Sequence, residues 1–255
     1  MSQLPEAFLR IPLAHRALHD ISRGRPENSK AAIAAALDHG YGIEIDLQPS
    51  RDGMAMVFHD YVLDRLTAEQ GDLRDRDAAA LSCIMLKGGD EGIPTLSEVL
   101  AQVDGRVPLL IELKDQHGEM GPSDGVLETA VAKAMKGYKG PAAVMSFNPD
   151  MVARLGTLMP EVPRGLVTCA YKSADWPNLD DATRSRLRGI PDYDQVGASF
   201  VSHHVADLDR ARVAELKSRG ADVLSWTIRS PEQEAEARRI AANVTFEGYL
   251  AALPA

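Results

Sequence analysis

The chain has only two cysteines, Cys83 and Cys169, and they do not share a C-x-x-C spacing. A disulfide framework and a thiolate metal site are therefore not what organises it. It also lacks an excess of positive charge, with 28 Lys and Arg against 37 Asp and Glu and a formal net charge of -9. A binder of nucleic-acid phosphates needs the opposite balance, so no nucleic-acid partner is expected. Any phosphate handled here must meet a local cation cluster or a metal. Aromatic residues make up 5% of the chain, and no aromatic-rich loop of the kind that docks on a bilayer is apparent. No apolar run approaches membrane-spanning length, and the opening Met-Ser-Gln-Leu-Pro-Glu has neither a basic n-region nor an apolar h-region. The expectation is a cytoplasmic protein without stable membrane association; nothing in the sequence speaks to its oligomeric state.

What is present is ordinary globular material. Over 255 residues, 45% hydrophobic and 25% charged, the chain is long enough for one large α/β domain with a full core. Strand signals fall at Ile11 to Ala14, Gly42 to Gln48, Val107 to Leu113, Ala142 to Phe147, Arg164 to Cys169, Gln195 to Val201, Ala221 to Ile228 and Asn243 to Leu250. Helical patterns alternate with them at Lys30 to His39, from Leu96 onward, and at Asp124 to Met135, Pro149 to Leu158, Asp181 to Leu187, Asp207 to Arg219 and Pro231 to Ala241. Asn28 or Ser29 can cap the first of these helices, and Thr95-Leu96-Ser97-Glu98 reads as a capping box. Ser50-Arg51-Asp52-Gly53 reads as a hairpin turn leading to Met54 to Asp60. From Tyr61 to about Gly92 a polar, acidic stretch reads as an excursion outside the main core, with a short helix around Arg76 to Ser82. Eight strands alternating with helices predict a parallel (β/α)8 TIM barrel, a single domain over residues 1–255 with a small insertion at about 53–92 after the second strand.

In a barrel of this kind chemistry sits at the C-terminal ends of the strands. The first strand ends in His15-Arg16, the second carries Glu44 and Asp46, the third ends in Glu112-Leu113-Lys114, and the hairpin delivers His59-Asp60. Glu44 and Asp46 are two apart in a strand and so share a face. Burying two anions side by side requires a bound divalent cation, an Arg or Lys, or a shared proton between them. Carboxylates with no clustered His or Cys suit a hard cation, Mg2+ or Ca2+, better than zinc. Each residue also has an ordinary reading: a hydrogen-bonded structural histidine for His15 or His59, a strand-end salt bridge for Glu112 and Lys114, loop shaping and helix capping for Glu27 and Asn28. Convergence at three successive strand ends weighs against all of these holding together.

As a set, His15-Arg16, Pro26-Glu27-Asn28, Ile43-Glu44-Ile45-Asp46-Leu47, Arg51-Asp52-Gly53, Val57-Phe58-His59-Asp60, Ile93-Pro94-Thr95-Leu96, Ile111-Glu112-Leu113-Lys114, Ser146-Phe147 and Trp226-Thr227 resemble the glycerophosphodiester phosphodiesterases. The match is dense through residue 114 and thin afterwards. The resemblance implies a (β/α)8 barrel that hydrolyses glycerophosphodiesters to glycerol 3-phosphate and an alcohol. It also implies a divalent metal on Glu44, Asp46 and Glu112, an acid/base pair in His15 and His59, phosphoryl contacts from Arg16 and Lys114, and Trp226 on the alcohol side. The attacking oxygen is then water or the neighbouring glycerol hydroxyl. The sequence departs from the family at Ala17, where Gly is usual, in the charged loop Leu18 to Arg25, at Ile228, and at Thr245-Phe246-Glu247-Gly248. His203-His204 are further candidates, either for substrate contact or for a cap or surface role. The competing readings are a phospholipase D-like lyase on the same barrel, a metal-dependent aldolase, and a non-catalytic barrel that binds a phosphodiester; the paired histidines, superfluous in a pure binder, weigh against the last.

Overall fold

A computed structural model describes residues 3–254; Met1, Ser2 and Ala255 lie outside them. In chain order the elements are α1 (Glu6–Arg10), β1 (Leu13–Ala14), α2 (Lys30–His39), β2 (Gly42–Pro49), β3 (Ala55–Val57), α3 (Ala78–Leu81), α4 (Leu96–Val103), β4 (Leu109–Leu113) and α5 (Val126–Met135), followed by β5 (Ala142–Ser146), α6 (Pro149–Leu158), β6 (Arg164–Thr168), α7 (Asp181–Arg188), β7 (Phe200–His204), α8 (Ala211–Ser218), β8 (Asp222–Ile228), α9 (Pro231–Ala237) and β9 (Asn243–Phe246). The sheet order β1-β9-β8-β7-β6-β5-β4-β2 is closed by pairing of β1 with β2, and β3 is attached to β2. The eight core strands, each followed by helix or loop, form the expected TIM barrel.

Local chemistry explains the elements. The Ser29 hydroxyl accepts from the Ala32 N–H at 3.1 Å and starts α2, which Gly40 ends in a left-handed conformation at φ 75°. The expected capping box opens α4: the Glu98 carboxylate accepts from the Thr95 N–H at 2.8 Å, and the Thr95 hydroxyl accepts from the Glu98 N–H at 3.3 Å. Leu96, Val99, Leu100 and Val103 then form its buried face.

The chain gathers into two compact units. One comprises Leu13–Lys114 and Gly125–Ala142. Within it β2 pairs in parallel with β1 at its start and with β4 along Ile43 to Leu47, while Leu47 to Pro49 run antiparallel to β3. The excursion after β3 is not simply polar. Leu63, Leu66, Leu73, Ala78, Leu81, Leu86 and Ile93 are buried with Met56 and Phe58 in a cluster of their own, with α3 inside the span expected for a helix. Its return end is anchored on α2, where the Glu91 carboxylate accepts from the Lys30 and Ala31 N–H groups at 3.1 and 2.8 Å.

The other unit holds the remaining described residues, with β5 to β9 pairing in parallel. Here the boundaries need correction. The strand expected over Gln195 to Val201 is β7 at Phe200–His204; Val196 and Gly197 instead donate to Asp192 O and Asp194 O in a turn, with Gly197 at φ 64°. The helix expected from Asp207 is a 3-10 turn at Val205–Asp207 followed by α8, α9 stops at Ala237, and β9 ends at Phe246 before Gly248 turns at φ 78°. The N-terminal helix α1 was not expected.

Candidate active site

The charged residues singled out in the first half of the sequence all belong to the unit containing Leu13–Lys114. Alternation along β2 puts Glu44 and Asp46 on one face, and the parallel register sets Asp46 opposite Glu112, one residue before β4 ends. Ligand oxygens of Glu44, Asp46 and Glu112 lie within 4.8 Å of one another, and all three side chains are buried. The Lys114 ammonium sits 2.7 Å from both Asp46 Oδ1 and Glu112 Oε1. Arg16, just after β1, places Nε 3.4 Å from Asp46 Oδ2, at ion-pair rather than hydrogen-bond distance.

Glu44 is held by backbone: Oε2 accepts from the Arg16 N–H at 2.9 Å, and its carbonyl accepts from the Ala17 N–H at 3.0 Å. Arg16 and Ala17 reach these positions with φ of 52° and 64°, the left-handed region that Gly would favour. Glu44 Oε1, by contrast, is buried with no hydrogen-bond partner. Burial, with the neighbouring Asp46 and Glu112 anions, drives the Glu44 carboxyl well above its ordinary range. Asp46 behaves oppositely. Burial would raise it too, but the charges of Lys114, His59, Arg16 and His15 outweigh that and hold it far below the usual carboxylate range. For Lys114, burial is overcome by Asp46 and Glu112, which push the ammonium above its usual value.

Two residues expected chiefly to shape a loop do more. Asn28, at φ 60°, donates from Nδ2 to Asp46 Oδ2 at 3.0 Å and accepts the Asp46 N–H on Oδ1 at 3.2 Å, leaving the helix cap to Ser29. Glu27 pairs with the Arg16 guanidinium at 2.7 Å. His59 follows β3, and its Nδ1 lies 2.7 Å from Asp60 Oδ1. Asp60 is pulled below the usual carboxylate range: burial opposes this, but hydrogen bonds from His59 and Arg65 prevail. An ionised Asp60 makes Nδ1 the protonated nitrogen, so Nε2 carries the lone pair. His15, half-buried after β1, is close enough to act on the Asp46 charge. Sequence reasoning missed Arg65, which holds both Glu27 and Asp60; the leucines flanking it, Leu63 and Leu66, were the available signal that this stretch packs rather than wanders.

Trp226 belongs to the other unit, in β8, with Nε1 donating to Ser202 O at 2.9 Å. Around it are Phe147 at 5.6 Å and His204 at 4.9 Å, ring centre to ring centre, and Phe147 in turn packs on Trp176 at 5.0 Å. His203 is fully buried, so the surface role does not hold. Its Nε2 lies 3.0 Å from Asp207 O and its Nδ1 lies 2.7 Å from the Thr168 hydroxyl, an arrangement that a neutral imidazole satisfies by donating to the one and accepting from the other. In the loop after Ala17, Asp20 accepts from Ser22 and pairs with Arg23 and Arg25, closing the charged stretch on itself.

Three carboxylates with an orphaned buried oxygen, beside fixed cations, fit a hard divalent cation. Glu27, Glu44, Asp46, Asp60 and Glu112 supply five carboxylates against the three cations Arg16, Arg65 and Lys114, which leaves two negative charges for such an ion to offset with the histidines neutral. Among the described residues no helix is long and apolar enough to cross a membrane.

The family model of the glycerophosphoryl diester phosphodiesterases matches residues 15–245. YhdW of Bacillus subtilis is 25% identical over 246 residues, 93% of each chain. The glycerophosphodiester phosphodiesterase of Caldanaerobacter subterraneus subsp. tengcongensis is 31% identical over 167 residues, 62% of this chain and 66% of that one. Among solved structures, a phosphodiesterase of Oleispira antarctica in complex with its product sn-glycerol-3-phosphate aligns with a TM-score of 0.77 and 25% identity, over 95% of this chain and 94% of that one. With nearly the whole barrel matched and the carboxylates, cations and histidines gathered within it, the chain belongs to the glycerophosphoryl diester phosphodiesterase family and is a phosphoric diester hydrolase.

Proposed function

We propose that the chain hydrolyses small glycerophosphodiesters to glycerol 3-phosphate and an alcohol, using a divalent cation, Mg2+ or Ca2+, and the histidines His15 and His59. The observation that carries the metal reading is Glu44 Oε1, a buried carboxylate oxygen without a partner in a cluster of three carboxylates. Glu44, Asp46 and Glu112 would hold the cation. When bound it would offset negative charge on the phosphodiester, which otherwise repels an attacking oxygen.

The protein's own residues do the rest. Arg16 and Lys114 bring positive charge to the phosphoryl oxygens, and Glu27 and Asp46 keep Arg16 oriented. His59, with Nδ1–H given to Asp60, presents Nε2 to take up or deliver a proton; His15 supplies the complementary step at the opposite oxygen. The product-bound Oleispira relative supports a glycerol phosphate as one product.

The test is release of glycerol 3-phosphate from glycerophosphocholine in EDTA, Mg2+ or Ca2+. Release that needs the metal is expected. Full activity in EDTA would refute the metal reading, and no release under any condition would refute the substrate.

A further inference from the structure

The excursion after β3 returns one side chain, Arg65, to the charged cluster. Its guanidinium is shared by two carboxylates. Nη1 and Nη2 donate to Glu27 Oε2 and Oε1, both at 2.8 Å, while Nε and Nη2 donate to Asp60 Oδ2 and Oδ1 at 2.7 and 2.8 Å. Glu27 Oε1 also accepts from Arg16, and Asp60 Oδ1 also meets His59 Nδ1, each at 2.7 Å. A chain of alternating charge therefore runs Arg16, Glu27, Arg65, Asp60, His59, with Arg65 linking its two ends. Planar fork-to-carboxylate pairing fixes direction as well as distance, which a lysine cannot do.

The backbone holding Arg65 is itself fixed. Leu63 and Leu66 on either side are buried in the excursion's cluster, and the Lys87 ammonium donates to the carbonyls of Asp64 and Arg65 at 2.7 and 3.2 Å. An ordinary exposed ion pair contributes little to stability. Here the side chain is about half exposed, yet every guanidinium nitrogen is committed to a carboxylate that touches a residue of the proposed machinery.

We propose that Arg65 is a positioning residue for the hydrolysis, setting the His59 tautomer through Asp60 and the Arg16 orientation through Glu27. This rests on the assignment of His59 and Arg16 under the proposed function. It also explains why the excursion carries a small core, which holds one guanidinium in place.

The test compares Arg65→Met, Arg65→Lys and Asp60→Asn with Arg51→Met. Arg51 makes an equally bidentate, exposed pair with Asp77, at 2.9 and 2.6 Å, and serves as the matched control for loss of a surface ion pair. Arg65→Met is expected to lower kcat on the order of 10- to 100-fold with KM changed by less than about threefold, Arg65→Lys to fall between, and Arg51→Met to retain kcat. Adding Asp60→Asn to Arg65→Met should cost little more, because the two act as one unit. Independently of turnover, the 15N shifts of the neutral His59 ring should report protonated Nδ1 in the parent and a mixed tautomer in Arg65→Met. Should the wild type prove inactive on every diester, the reaction reading fails while the imidazole measurement still decides the positioning role. Unchanged tautomer and unchanged kcat in folded Arg65→Met or Arg65→Lys would overturn the proposal, as would losses in Arg65→Met and Arg51→Met that merely track their melting temperatures.

Discussion

Lowering the pH should destabilise the protein through one side chain, His203. Burial holds its imidazole at about 4, against an ordinary 6.5, and the nearby Asp207 carboxylate only partly offsets this while Arg210 reinforces it. The geometry agrees. Both ring nitrogens are satisfied in the neutral form, and a second ring proton would face the Thr168 hydroxyl that now donates to it. Between pH 6.5 and 4 the unfolded chain therefore binds a proton that the folded one refuses. The stabilisation is complete above about 6.5, drains away as pH falls toward 4, and changes no further below that. The size follows from the displacement of the titration, about 3 kcal/mol. Urea unfolding of the wild type and His203→Gln at half-unit steps from about pH 4 to 8 isolates the effect, since other groups titrate alike in both. The wild type should lose about 3 kcal/mol relative to the variant over that window. Parallel curves, or a wild type that gains on the variant as pH falls, would refute the reasoning.

The remaining expectations concern the charged unit. His15→Ala and His59→Ala should each lower turnover roughly a hundredfold or more while melting within a few degrees of the parent; near-normal kcat in either would remove that residue from the mechanism. Glu44→Gln should weaken Mg2+ or Ca2+ binding in calorimetry and, in EDTA at neutral pH, raise stability by about 1 kcal/mol or more because it removes a carboxyl whose ionisation is opposed by burial and by Asp46 and Glu112; undiminished binding would show the ligand assignment to be wrong. Gly42→Ala should destabilise by about 1–3 kcal/mol in denaturant unfolding, since the added methyl meets Leu13 Cδ2 at 2.6 Å and Pro108 Cγ at 2.9 Å.

Much of the barrel was legible because its signals are local and periodic. Alternation in Gly42 to Gln48 and the caps at Ser29 and Thr95 do not depend on the rest of the chain. Strand parity pairs Glu44 with Asp46 and Glu112 with Lys114, the family resemblance joins the three carboxylates as one set, and the register sets Asp46 opposite Glu112. The misplacement of β7 has a different cause: its two histidines read as strand-end polar residues, whereas His203 is interior because Thr168 and Asp207 satisfy it. Asn28, Glu27 and Arg65 escaped for a related reason. Their roles consist of contacts to residues 5 to 38 positions away, across loops rather than along one element, and such pairings leave no periodic trace.

The left-handed pair Arg16 and Ala17 has a consequence for how the site can be probed. The groups that seat Glu44 from that turn are two consecutive peptide N–H groups, not side chains. Alanine scanning cannot see them: truncating residue 16 deletes a guanidinium but leaves its amide in place, and position 17 is already alanine. Exchanging Ala17 for Gly would be equally uninformative, because Gly and Ala donate the same hydrogen bond. Only proline, which has no N–H and a φ fixed near about -65°, would remove the contact. A residue whose identity tolerates change can thus hold a position whose amide does not.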